Sequence, residues 1–122
     1  MNSGVDGIVL GSHGGRQLDW TVAPVDLLPV ARDIVRDRTL YMTRGIRRGT
    51  NMLKALAPGA AAVWVDRAPL YGLGAAGAAG AARALEILKR EALDGIGLLG
   101  VSRVNELGPH LLTHTGSSVP RM

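Results

Sequence analysis

His13 and Arg16 stand three residues apart in a stretch that also holds Gly11, Gly14 and Gly15 and closes on Asp19. Glycine lets a backbone turn sharply and come close to a ligand. Histidine is the side chain whose ordinary pKa lies near neutrality, which suits it to proton abstraction. Arginine offers a planar fork of donors that can hold a carboxylate at two points. A base beside a carboxylate clamp is equipment for chemistry on a small acid. Taken alone, the pair reads better as a polar surface loop, so its neighbours must decide.

A second concentration of chemistry is cationic. Arg44, Arg47 and Arg48 surround Gly45 and Ile46, and Arg67 follows Asp66 further along. The whole chain carries 14 Lys+Arg against 10 Asp+Glu, a net charge of +4. Nucleic-acid surfaces spread basic residues along a face and interleave aromatics. Here the cluster is compact and aromatics make up 3% of the chain, so a single phosphate is the better partner. A solvated basic turn is the alternative. His110 and His114 could share one face of a helix, but no acidic or third ligand accompanies them and no metal site is expected.

These residues need elements to hold them. The apolar run 7–10 has the length and composition of a buried strand. It leads into the His13 loop and then a helix over 24–36. Pro24 suits the first turn of that helix, and Val25, Leu28, Ala31, Ile34 and Val35 form an apolar stripe. A second strand over 39–42 passes through the arginine cluster into a helix over 51–57, stopped by Pro58-Gly59. A third strand over 61–65 is followed by a Gly/Ala-rich connection and a helix over 78–93. That helix has Leu85, Leu88, Ala92, Leu93 and Ile96 inward and Arg83, Glu86, Lys89, Arg90 and Glu91 solvated. A short helix near 104–107 comes last, and 113–122 reads as a disordered tail. Strand–helix alternation of this kind implies parallel strands. In such folds active residues sit in the loops after the carboxyl ends of the strands, where all three clusters fall.

The 122 residues are enough for one domain. With no cysteine there is no disulfide framework, thiolate nucleophile or thiolate metal site. Met1-Asn2-Ser3-Gly4 does not open a signal peptide, and no apolar run approaches the roughly 20 residues of a membrane helix. A soluble, cytoplasmic protein is the expectation.

The segment from Asp6 to Asp19, Asp-Gly-Ile-Val-Leu-Gly-Ser-His-Gly-Gly-Arg-Gln-Leu-Asp, resembles the signature of the FMN-dependent α-hydroxy-acid dehydrogenases and oxidases, D-G-I-V-x-S-N-H-G-G-R-Q-L-D. The segment 44–57 resembles the same family's D-G-G-I-R-R-G-T-D-V-L-K-A-L-A. The segment 62–73 resembles its A-V-x-V-G-R-P-x-L-Y-G-L. The family includes glycolate and lactate oxidases and the lactate and mandelate dehydrogenases.

The resemblance implies an α/β fold of parallel strands, a (β/α)8 barrel. Such a barrel needs about 250 residues, so this chain looks like its last three β/α units. Residues 1–112 would form that portion. The implied reaction is oxidation of a small L-2-hydroxy acid of the lactate, mandelate or glycolate type to the 2-oxo acid. His13 would be the base and Arg16 the carboxylate clamp. FMN would be the cofactor, with its phosphate held at Gly45, Ile46, Arg47 and Arg67. Three strands cannot close a barrel, so a complementing chain or a homo-oligomer is the expected partner. The alternative is a non-catalytic remnant or phosphate-binding half-barrel.

Departures from the family pattern fall in the phosphate loops. Thr43 and Arg44 stand where the family has aspartate and glycine, Asp66 where it has glycine, and Ala68 where it has proline. Gly11 and Ser12 replace a Ser-Asn pair, and Pro58 replaces leucine. Arg44 adds bulk, and Asp66 adds negative charge where a phosphate should approach unless Arg67 or Arg44 neutralises it, so weakened flavin binding is expected.

Overall fold

Runs such as Ile8-Val9-Leu10 and Ala62-Val63-Trp64 are too short for a stable helix and rich in residues that fit a pleated surface. In the computed structural model, which describes residues 4–113 and 115–116, they are strands. Strands β1 (Gly7–Leu10), β2 (Thr39–Thr43) and β3 (Ala62–Trp64) alternate with helices α1 (Pro24–Val35), α2 (Gly49–Leu56) and α3 (Arg67–Leu98). The sheet has the order β1-β2-β3 and is parallel throughout. Gly7 lies opposite Thr39 and Leu10 opposite Met42, while Tyr41 lies opposite Ala62 and Thr43 opposite Trp64.

Side chains alternate across a strand, and β2 shows the result. Leu40 and Met42 are buried toward the helices, in a core with Leu28, Ala31, Ile46, Ala55 and Ala60. Tyr41 faces the other way, with its ring centroid 6.3 Å from that of Trp64. On this second face Val9 and Trp64 are 42% and 54% exposed. In α1, Leu28, Ala31 and Val35 make the inward stripe, whereas Val25 and Ile34 are exposed. Pro29 lies inside the helix rather than in its first turn, on an exposed position.

Helix α3 differs most from expectation. The Gly/Ala-rich run is helical on both sides of a break rather than a connection. Alanine's high helix propensity carries the run despite its glycines. At the break, Ala76 (φ −151°) and Gly77 (φ 61°) leave helical geometry. Gly72 and Gly80 then approach so closely that a Cβ on either would collide with the other's carbonyl. Of the expected inward stripe of α3, Leu88 is buried but Leu85 and Leu93 are half-exposed. The segment near 104–107 is a single 3-10 turn, Val104–Glu106. Most of the expected tail, with His114, lies outside the described residues.

Helices α2 and α3 pack where α2 begins. A Cβ on Gly49 would collide with Glu91 and Ala92 of α3. Glu91, expected to be solvated, accepts a hydrogen bond from the Gly49 N–H at 2.7 Å and pairs with Arg48 Nη2 at 2.8 Å. Its carboxylate satisfies a free donor at the helix N-terminus, where negative charge is also favoured by the helix dipole. The chain's accessible surface is 8763 Å². A folded monomer of 12.8 kDa exposes roughly 6,300 Å².

Gly49→Ala should therefore destabilise the fold by about 1–3 kcal/mol, the usual range for forcing extra atoms into a packed site. Gly97→Ala, in open space on α3, should be neutral or stabilising by up to about 1 kcal/mol. Urea unfolding of the two variants checks this, and equal midpoints would contradict the packing at Gly49.

Candidate functional site

Because the strands are parallel, the loops that follow them open on one edge of the sheet. The β1 loop turns at once into a 3-10 turn, His13–Gly15. His13 itself has φ 50°, and Gly14 and Gly15 have φ 70° and 71°. A left-handed backbone is uncommon for a residue with a Cβ and carries a modest conformational cost. His13 and Arg16 are both exposed, and neither makes an ion pair or side-chain hydrogen bond among the described residues. Asp19 accepts from the N–H of Trp20 at 2.9 Å, a local turn contact.

The loop after β2 carries Arg44, Gly45, Ile46, Arg47 and Arg48. Arg44 and Gly45 have φ 78° and 77°. Space at Gly45 is open, with nothing within 4 Å of a Cβ placed there. Ile46 is buried in the core, so only its backbone faces the edge. Asn51 Oδ1 accepts from the N–H groups of Arg47 and Arg48 at 3.2 and 3.0 Å, fixing the start of α2. Arg47 is exposed and makes no ion pair among the described residues.

The loop after β3 holds Asp66 and Arg67. The Asp66 carboxylate accepts from the Arg67 N–H at 2.7 Å, capping α3, and also pairs with the Arg44 guanidinium. Of the two cations that could neutralise Asp66, Arg44 supplies the ion pair and Arg67 its N–H. Both side chains are about one-third exposed, so the pair is of the surface kind, worth up to about 1 kcal/mol. The Arg67 guanidinium makes no ion pair of its own among the described residues. The fold thus brings the second and third loops into contact. It leaves the His13 loop on the same edge without a recorded bond to either.

One residue in this region escaped sequence reasoning, Glu91. It lies 42 residues from Gly49, so no local spacing could reveal it. The neutralisation of Asp66 was legible in the sequence as a choice between Arg44 and Arg67, and Arg44 supplies the ion pair. His110 sits in the 3-10 turn Pro109–Leu111. Among the described residues no group of three or more His, Cys, Asp or Glu could hold a metal ion, and no helix is long and apolar enough to cross a membrane.

A parallel sheet alternating with helices, with a His-x-x-Arg loop and arginine-rich loops along one edge, defines an α/β protein of the parallel-strand class. Sequence comparison narrows it. Residues 1–114 match the model of the FMN-dependent dehydrogenase family, and the chain belongs to that family. It is 45% identical over 114 residues to a putative L-lactate dehydrogenase of Mycobacterium tuberculosis, covering 93% of this chain and 28% of that protein. It is 43% identical over 115 residues to an L-lactate dehydrogenase (cytochrome) of Wickerhamomyces anomalus, covering 89% and 20%. A soluble mutant of the membrane-associated (S)-mandelate dehydrogenase from Pseudomonas putida superposes with TM-score 0.84 at 37% identity, over 88% of this chain and 31% of that one. This chain therefore spans less than a third of the length of these proteins. FMN is the cofactor of the family.

Asp66 is held below its ordinary value of 3.8, chiefly by the Arg67 N–H bond, with the charge of Arg44 adding and partial desolvation opposing. A lowered folded-state pKa gives stability that is present above the unfolded value and lost as pH falls through the folded one. The urea midpoint of the wild type should exceed that of Asp66→Asn above about pH 4, and the gap should close below pH 3.8. A gap unchanged from about pH 6 to pH 3 would show that the carboxylate's charge contributes nothing.

Proposed function

We propose that this chain is the base-bearing portion, the last three β/α units, of an FMN-dependent (β/α)8 oxidoreductase acting on a small L-2-hydroxy acid of the lactate, mandelate or glycolate type. Residues 1–112 form that portion in this reading. The observation that carries it is the one-edge placement of the His13, Arg44–Arg48 and Asp66–Arg67 loops in a chain that belongs to the FMN-dependent dehydrogenase family. Part of the edge suits a flavin phosphate, while Asp66 and its Arg44 partner occupy the β3–α3 side of it. Gly45 is open, and Arg47 and Arg67 carry no competing ion pair. FMN, when bound, supplies the acceptor for two electrons. The backbone at Gly45 and Ile46 and the Arg47 and Arg67 guanidinium groups would hold its phosphate.

The chain's own chemistry follows from its side chains. A ring nitrogen of His13 takes one of the two protons that a 2-hydroxy acid gives up, with two electrons, as it becomes the 2-oxo acid, and the other leaves with the electron pair or to solvent. The guanidinium of Arg16 binds the substrate carboxylate at two points, orients it toward His13 and offsets developing negative charge. An exposed His13 and Arg16 have no wall to exclude water from such a reaction. The sheet face with Val9, Tyr41 and Trp64, and the surface above that of a folded monomer, support a need for covering structure. A complementing chain or a second copy supplies it in this reading. A cytoplasmic location is proposed with it, although relatives include a peroxisomal 2-hydroxyacid oxidase of Arabidopsis thaliana. The second reading is a non-catalytic remnant, favoured by the ion pair that fills part of the phosphate loops.

Grafting residues 1–112 in place of the matching segment of (S)-mandelate dehydrogenase tests the proposal. The chimera should be yellow and oxidise a 2-hydroxy acid. In it His13→Ala should lower the rate by about 10²–10⁴-fold while flavin stays bound. Arg16→Lys should raise KM and lower kcat, since a point charge cannot reproduce the fork. A His13→Ala chimera within about twofold of its parent would overturn the assigned base. A folded, inactive chimera would favour the remnant.

The 122-residue chain alone should elute from size exclusion as an assembly larger than a monomer. A monomer that oxidises a 2-hydroxy acid by itself would contradict the need for covering structure.

A further inference from the structure

The edge of the sheet offers an anion few donors that are not already used. At α2, Glu91 takes the Gly49 N–H and Arg48, and Asn51 takes the N–H groups of Arg47 and Arg48. At α3, Asp66 takes the Arg67 N–H and the Arg44 guanidinium. Asp66 is a carboxylate in the position where a bound anion would collect a helix N-terminal donor and a cation. Arg44 reaches it from a left-handed backbone, φ 78°, a conformation that glycine adopts without cost. The two side chains stand where the family pattern has two glycines, so neither donor nor acceptor of this pair belongs to that pattern.

We propose that Asp66 is a resident anion that sets which ligands this edge accepts: while it holds Arg44 and the Arg67 N–H, a phosphate dianion is excluded from the β3–α3 loop. The idea rests on the reading that this edge faces the FMN phosphate. A dianion brought beside Asp66 meets a like charge within a few ångströms and loses both donors. Among the described residues, Arg47 and the Arg67 side chain are the cations of these two loops that carry no ion pair. The exclusion is built from this chain's own residues and works without any conformational change. Removing Arg44 alone does not lift it, because Asp66 keeps its bond to the Arg67 N–H.

The test uses the 122-residue chain and three variants, Asp66→Asn, Asp66→Gly and Arg44→Gly/Asp66→Gly. Far-UV circular dichroism checks helix content. Asparagine is as good a cap as aspartate, so Asp66→Asn carries the test if either glycine variant loses α3. Inorganic phosphate is titrated while the backbone amide signals of Gly45 and Arg67 are followed by NMR, and FMN is titrated by quenching of its fluorescence. Phosphate should bind the variants at least roughly tenfold more tightly than the wild type, the loss of a like charge at short range accounting for the gain. In the two glycine variants, which free the Arg67 N–H, the Arg67 amide should move with saturation. Equal phosphate affinity in wild type and variants, or no phosphate binding by any of them, would overturn the proposal. Variants that bind phosphate more tightly but not FMN would leave it standing and count against the flavin reading instead. FMN bound equally by wild type and variants would do the reverse.

Discussion

The two parallel ladders of β2, to β1 on one side and β3 on the other, set the position of every loop discussed above. Only β2 has neighbours on both edges among the described residues, and its Leu40 and Met42 are the buried strand side chains among them. Because all three strands run the same way, each chain reversal is made by a helix, and each loop after a strand emerges on the same side. A base, a carboxylate clamp and a set of arginines from three separate stretches can then share one edge. An antiparallel pairing of any strand would send one of the clusters to the opposite end.

Holding the loops on one edge leaves the question of what satisfies the backbone donors there. Each helix begins with N–H groups that have no partner within the helix. In this chain the answer is internal acceptors. Glu91 and Asn51 serve α2, and Asp66 serves α3. The acceptor for α2 comes from α3, so the electrostatic closure of one helix is also the contact that docks the other. Gly49 makes that contact possible by having no Cβ to separate the backbones.

Much of this was legible because it is local. The strands lie within a residue of the runs 7–10, 39–42 and 61–65, since four or five apolar residues between glycines and charges admit little else. The start of α1 at Pro24 and the end of α2 before Pro58 follow from what proline permits. The positions of His13, Arg47 and Arg67 after strand ends were equally plain. What escaped was tertiary. Val25 and Ile34 share the helical spacing of Leu28 but have no element above them. The break in α3 at Ala76–Gly77 was invisible because several glycines in the run offered the same freedom. The choice of Arg44 over Arg67 as the ion-pair partner of Asp66 was not legible either, because the pairing spans 22 residues and two loops and no periodicity encodes it.

The Arg44–Asp66 pair also shows how two unfavourable local choices support each other. Arg44 on a left-handed backbone costs about 1–3 kcal/mol by itself, and Asp66 amid arginines removes donors that a ligand could use. Paired, the arginine gains a partner for its charge and the aspartate gains a second donor beyond its cap. A surface ion pair of up to about 1 kcal/mol does not fully offset the backbone cost. The stability of the fold is therefore not reason enough for the pair. In the proposed reading the residues act on what approaches the edge, where the Asp66 carboxylate meets an incoming anion as a like charge. Strain at a non-glycine residue beside an open Gly45 is where such a use is expected.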